Sequence, residues 1–394
     1  MKENIYYLMN KNNHIATLVL INGTFYIKEM KTTQFTKALY NIDKWINNRM
    51  TIVGRDNLLT MAKIAQIDSE DRFVELTKAI SITDTFWVNS KNNPTTWDKI
   101  SPYTNTISRI IANIAIDGLQ LFNNQNLSSP SPQYKIGGSV DKCVKRINGK
   151  EGIYLYKSCG EIKGNADVKV VRPYSEYFVS KFLDMIGMQY NRVGYYIDEK
   201  VTDDGNIKPY SVCKIFTDEN TGLLEIGDSV YARTPLDELL NIFKGNGDRV
   251  SYSTLKNMLM IDAITLNIDR HSWNYGMLID NDTLTIKSMA PIYDNDCALG
   301  STISLRGKSF ADAYEEIVTH HLPRTDTGDY NDTALLGMTQ AWYNKLRQIN
   351  GKIKLERGKL TGISQNRIDF MNYAINRRVA EIINVIKQTY HLSK

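Results

Sequence analysis

The sequence predicts an α+β chain in two lobes, a strand-rich one followed by a helical one, with an α+β extension ahead of them. Three observations carry this. Short apolar runs broken by turn residues fill residues 1–30 and recur between 142 and 216. Helix-period apolar stripes dominate beyond residue 230. A polar, proline-containing stretch at 123–133 separates the two strand-rich parts. With 394 residues there is room for two or three cores, at ~100–200 residues per domain.

Composition narrows the class. Hydrophobic content of 42% and charged content of 23% place the chain among soluble globular proteins rather than disordered ones. A net charge of +5 falls short of the strong basicity that marks nucleic-acid binders, so no direct nucleic-acid binding is expected. Residues 345–394 are rich in Lys and Arg against only Glu356, Asp369 and Glu381, which reads as a solvated helical face or a site for an acidic partner. Cys143, Cys159, Cys213 and Cys297 show no CxxC spacing and no adjacent histidine cluster, so they read as reduced thiols. The start leads into no long apolar run, and no run approaches ~18 apolar residues. A soluble cytoplasmic protein, neither secreted nor membrane-spanning, is expected.

In chain order, Ile5 to Met9, Ile15 to Ile21 and Phe25 to Ile27 alternate with polar breaks as a β-meander does, with Asn22-Gly23 as its hairpin signal. Residues 34–48 and 70–80 read as helices, the second opening on Ser69-Glu70-Asp71 as a cap region. Trp87 and Trp97, each near Thr and Asp, are either a ligand platform or a staple onto the next domain, and we read them as structural. The linker then divides an accessory segment (1–122) from a first lobe (134–220) and a helical second lobe (221–394).

The first lobe opens on Gly137-Gly138-Ser139. Lys142 to Val144 and Gly152 to Lys157 follow as strands around an Asn148-Gly149 turn, with Lys157 at the end of the second. Paired glycines let backbone amides approach phosphate oxygens, and a strand lysine supplies a point charge for them, although Gly-Gly-Ser also makes an ordinary turn. The GxxxxGK[ST] pattern is missing, which excludes a P-loop NTPase. Pro173-Tyr174-Ser175-Glu176 opens an amphipathic helix with a Tyr177, Val179, Phe182, Leu183, Ile186 stripe, closed by Gly187, and puts Glu176 in its first turn. Tyr195 to Ile197 and Tyr210 to Phe216 read as strands joined by Asp203-Asp204-Gly205-Asn206.

Beyond residue 230, Leu236 to Phe243 and Leu255 to Leu266 are helical, and the second leads into Asn267-Ile268-Asp269-Arg270-His271-Ser272-Trp273-Asn274. Tyr275 to Ile279 and Leu284 to Ile286 form a hairpin over Asp280-Asn281-Asp282, returning the chain at Ala290-Pro291-Ile292-Tyr293-Asp294. Residues 310–322, 333–350 and 366–390 supply three more helices, the last with Ile368, Met371, Ile375, Val379, Ile382 and Ile386 on one face. Two carboxylates and an amide at this spacing suit a metal-bound triphosphate: one group orients an attacking hydroxyl, and oxygen ligands hold magnesium.

Asp-Arg-His-x-x-Asn at 269–274, with Asp294 after a small apolar run, resembles the catalytic and metal-binding loops of HipA-like serine/threonine kinases. Lipid kinases of the phosphatidylinositol type share much of the motif. The resemblance covers roughly residues 130–320 and implies a two-lobed protein-kinase-like fold. It implies ATP between the lobes, with Gly137, Gly138 and Ser139 over its phosphates and Lys157 on them. Glu176 then pairs with Lys157, or else serves only the helix dipole. Phe216 lies where the family contacts adenine and is either a base-flanking ring or a core phenylalanine. Asn274 and Asp294 hold Mg2+, and Asp269 is the base. In the lipid-kinase version the histidine acts on the transferred phosphate, and as a competent general base His271 is the rival of Asp269, whereas Arg270 steadies the loop or a phosphate.

The family resemblance also implies a protein substrate, autophosphorylation near the glycine loop (Ser129, Ser131 and Ser139 are the candidates) and a toxin held by a small DNA-binding antitoxin. Tyr293-Asp294-Asn295 in place of Asp-Phe-Gly, with no Ala-Pro-Glu after it, matches the family rather than ordinary protein kinases. A lipid or small-molecule kinase and an inactive kinase-fold binding module are the alternatives.

Overall fold

A computed structural model describes residues 4–31, 41–49, 67–118, 131–135, 141–159, 170–325 and 328–390. Strand β1 (Asn4–Asn10), β2 (Asn13–Ile21) and β3 (Thr24–Met30) form the expected meander, and β4 (Phe86–Ser90) pairs with the other edge of β1. Asn22 and Gly23 both take positive φ, +52° and +83°, which the two-residue turn of a tight hairpin requires.

Helices α1 (Ile42–Arg49), α2 (Glu70–Thr77), α3 (Trp97–Ile100) and α4 (Arg109–Asp117) complete the extension. Of the helix expected at 34–48, Ile42–Arg49 is helical, and residues 34–40 lie outside the described residues. Helix α2 stops at Thr77 rather than 80 because Lys78 and Ala79 turn into left-handed φ, directing the chain into β4. The indoles of Trp87 and Trp97 are buried with centroids 6.5 Å apart. Trp97 donates from Nε1 to the Glu219 carboxylate at 3.1 Å, so the tryptophan pair fastens the extension onto the lobe that follows.

The second sheet runs β5 (Lys142–Lys145), β6 (Tyr154–Ser158), β8 (Ile207–Lys214), β7 (Tyr196–Val201), all antiparallel. Cys143, Tyr210 and Val212 on it share one apolar cluster with Ile111, Ala112 and Ala115 of the extension. Residues 123–130 of the expected linker lie outside the described residues, but Ser131 and Gln133 differ from that expectation: both are buried. The Gln133 amide donates to the Val144 carbonyl at 2.7 Å and accepts from the Val144 N–H at 2.9 Å. A side-chain amide thus completes the edge of β5 as a peptide would.

Helix α5 (Val171–Met185) packs on this sheet. It starts two residues before Pro173, whose missing N–H costs nothing in a first turn. Glu176 therefore lies in the second turn, not the first. The buried face is Tyr174, Phe178, Val179, Phe182 and Leu183, with Tyr177 only partly covered.

A third sheet, β11 (Ile286–Met289), β10 (Gly276–Asp280), β9 (Thr221–Glu225), floors the helical lobe. That lobe is α6 (Leu236–Gly245), α7 (Arg249–Thr265), α8 (Phe310–His320), α9 (Tyr330–Gly337), α10 (Gln340–Ile349) and α11 (Gln365–Thr389). The single helix expected at 333–350 is two. Gly337 crosses α7 so closely that a Cβ there would lie 2.7 Å from the Met260 amide, and Thr339 caps a new start by accepting from Trp342 N. The α11 stripe is buried as predicted. Part of the basic excess beyond 345 is internal: Arg367 donates to the Gly300 and Ile303 carbonyls, and Arg378 to Ala263.

Candidate active site

Helix α7 is buried along most of its length and ends at Leu266 in the left-handed conformation, which swings the chain into the 267–274 loop. One polar side chain on it, Asp262, organises the turn. It accepts from Asn267 Nδ2 at 2.9 Å, from Arg270 Nε at 2.8 Å and from Arg270 Nη2 at 3.0 Å. Arg270 Nη1 donates to the carbonyls of Asn274 (2.6 Å) and Tyr293 (2.5 Å), while Nη2 also reaches Asn295 Oδ1 (2.7 Å). All five guanidinium N–H groups are thereby taken, and the side chain is buried. Arg270 clasps the two loops and has no donor left for a phosphate.

This clasp sets the neighbours. Asn274 Nδ2 donates to the Asp269 carbonyl at 2.6 Å, folding the loop back on itself. The Asp269 carboxylate is partly buried, with Arg324 Nη1 2.8 Å from Oδ1 and Cys297 Sγ 3.8 Å from Oδ2. His271 Nε2 is 3.9 Å from Asp269 Oδ1, and its ring stands edge-on to Trp273.

The β10–β11 hairpin returns the chain beside the loop. The Ile292 carbonyl accepts from Val193 N, and Asp294 takes φ +59°. That turn aims its carboxylate at Lys157: Nζ to Asp294 Oδ1 is 2.5 Å and to Glu176 Oε1 is 2.7 Å, with Asp296 Oδ2 at 3.7 Å. Ser211 donates to the other Glu176 oxygen, and Arg172 Nη2 meets Asp296 at 2.8 Å. The Glu176 side chain is wholly buried and that of Lys157 nearly so.

Burial opposes charge on Lys157, Asp294 and Glu176, but the mutual fields outweigh it for the first two. Although burial would lower it, the Lys157 ammonium is held well above the usual lysine range by Asp294, Glu176 and Asp296. Burial would raise Asp294, yet Lys157, Lys142 and Arg270 hold it below the usual carboxylate range. Glu176 goes the other way: complete burial and the carboxylates of Asp294 and Asp296 raise it despite the Lys157 contact. One ammonium faces three carboxylates, and Asp294 gains most from it.

Lys157, Glu176, Asp269, Arg270, His271, Asn274 and Asp294 are thus brought together. Phe216 is partly buried and packs against Val193, Tyr195 and Cys213, its ring 5.7 Å from that of Tyr293, a placement open to both alternatives. Gly137, Gly138 and Ser139 lie outside the described residues. Asp262, Asp296, Arg172, Ser211 and Arg324 were not singled out from the sequence. Asp262 left a signal, a carboxylate in the middle of an apolar helix; Arg324 left none. The donors of Asn274 and Asp294 are hard oxygens, and the second is held ionised, which fits magnesium chemistry.

A strand-rich lobe with a Lys–Glu ion pair, set over a helical lobe with an Asp-to-Asn loop, defines the protein-kinase-like class. No protein-family model and no curated protein matches the chain. Among solved structures it is similar to HipA of Shewanella oneidensis MR-1, determined as a toxin–antitoxin complex with HipB and operator DNA. The identity is 10%, the TM-score is 0.54, and the match covers 99% of this chain and 100% of that one. It also resembles CtkA, a proinflammatory kinase of Helicobacter pylori, at 16% identity and TM-score 0.45 over 66% of this chain and 94% of that one. The chain has a HipA-like kinase fold.

Proposed function

We propose that the protein is an ATP-dependent serine/threonine protein kinase of the HipA-like kind, with the four parts 1–122, 123–133, 134–220 and 221–394 as its domain plan. The observation that carries this reading is the Lys157 ammonium bridging Glu176 and Asp294 at 2.7 and 2.5 Å, beside the Asp269 loop. A lysine so placed exchanges a surplus carboxylate for phosphate oxygens without leaving Glu176 unpaired.

In this reading Lys157 binds the α/β-phosphates, and Gly137, Gly138 and Ser139 close over them. Asp269 accepts the proton of a Ser or Thr hydroxyl, with His271 as its rival for that task. Arg270 keeps both loops in register. Asn274 and Asp294 would hold magnesium, which supplies positive charge to the phosphates when bound. Autophosphorylation at Ser129, Ser131 or Ser139, and a growth-arresting role under a small DNA-binding antitoxin, extend the proposal. HipA in its complex with HipB is the precedent for such a partner.

The test is mass-spectrometric mapping of phosphosites after expression of the chain, of Asp269→Asn and of His271→Ala. Phosphate in the first and third but not the second supports the reading. Phosphate surviving Asp269→Asn and lost in His271→Ala would transfer the base role to His271, and phosphate in none would favour an inactive binding module.

A further inference from the structure

The proposed reaction leaves one requirement unmet by the residues so far assigned. Phosphoryl transfer spreads charge over three oxygens of the group in flight, and those beside the attacking hydroxyl need a cation on the Asp269 side. Arg270, nearest in sequence, has every N–H committed. Lys157 sits across the cleft with Glu176 and Asp294.

Arg324 meets the requirement. It lies in the connection between α8 and α9, and its backbone N–H donates to the Ile268 carbonyl at 3.0 Å, which ties that connection to the catalytic loop. Its Nη1 rests 2.8 Å from Asp269 Oδ1, yet the side chain is 68% exposed, so the rest of the guanidinium fork faces the open side. Asp269 Oδ1 makes no hydrogen bond of good geometry in this arrangement. The contact is therefore an ion pair that can open without breaking a directed bond.

Resting on the kinase reading above, we propose that Arg324 is a catalytic residue that binds the transferred phosphoryl group. Before substrate arrives it lies on Asp269; when the γ-phosphoryl enters, the guanidinium turns to its oxygens and frees Oδ1 for the substrate hydroxyl. As that hydroxyl oxygen bonds to phosphorus, its proton passes to Asp269. The bond from phosphorus to the β–γ bridging oxygen breaks, and its electron pair leaves on ADP.

The experiment measures autophosphorylation and transfer to casein from radiolabelled ATP, over a range of ATP concentrations, for wild type, Asp269→Asn, Arg324→Ala, Arg324→Lys and Arg324→Gln. The expected result is a maximal rate lowered ~100-fold in Arg324→Ala, the usual loss for one transition-state donor, with half-saturating ATP little changed. The melting temperature should stay near the wild-type value, because the Arg324 end of the ion pair lies largely in solvent and such a pair stabilises little. Arg324→Lys should recover part of the rate and Arg324→Gln none, and that pair decides the matter if the alanine variant folds poorly. Wild-type rates in both Arg324→Ala and Arg324→Gln, with Asp269→Asn inactive, would overturn the proposal and leave the kinase reading standing. No transfer from the wild type would remove both.

Discussion

Arg270 and Lys157 are both buried cations of one site, and they keep different company. Arg270 meets one buried carboxylate, Asp262, plus three neutral oxygens, and every donor is used. Lys157 meets Glu176 and Asp294 directly, with Asp296 close behind and itself paired to Arg172, so three carboxylates share two cations and the cluster carries surplus negative charge. The balanced cluster fixes the shape of the loop. In the surplus one, Glu176 is raised toward protonation while Asp294 is held ionised. Neutral closure suits scaffolding, whereas unbalanced charge suits a place where a cation and phosphates enter.

The same chemical change should therefore have consequences of very different size in the two clusters. Asp262→Asn leaves the Arg270 charge buried without an anion and should destabilise the fold by ~3–5 kcal/mol, read from urea midpoints. An effect as small as that of Glu176→Gln would erase the distinction.

Glu176→Gln should cost no more than ~1 kcal/mol at pH 8. Its effect also has a pH signature. The folded pKa of Glu176 is raised above its ordinary 4.5, so the folded state holds the proton more tightly than the unfolded chain. Wild-type stability thus falls as pH rises from about 4.5 through the folded pKa, and the glutamine variant lacks that fall. Urea midpoints at pH 5 and pH 8 should accordingly favour the variant more at pH 8; a difference of the opposite sign would mean that the ionised carboxylate is stabilised by the fold.

The smallest effect concerns Ser211, which donates to Glu176. Ser211→Ala should destabilise by ~1 kcal/mol at pH 8 and by less toward pH 4.5, where the carboxyl takes up its proton. A loss independent of pH would assign the hydroxyl to packing rather than to charge.

Several parts of this arrangement were legible beforehand. The α11 stripe and the first meander follow from periods of 3.6 and 2 over long runs, and the Asp269–Asn274 loop is compact enough for its spacing to carry its geometry. Glu176 was legible as a partner for Lys157 but not as a second-turn residue, since proline in a first turn does not say which position it takes. The split between α9 and α10 was hidden because Gly337 answers to the approach of α7, not to its neighbours in sequence. The burial of Ser131 and Gln133 was hidden likewise: a polar composition reads as linker until a particular strand edge accepts its amide.

By itself, then, the chain determined its elements and which residues share a loop or a face, because those depend on dihedral period and on neighbours a few positions away. The tertiary structure decided who neutralises whom. Arg270 joins Asp262 rather than a phosphate, Lys157 faces three carboxylates rather than one, and Arg324 reaches Asp269 from a distant connection. Coulomb energies depend on distances in space and on burial, and neither is set until the lobes have packed.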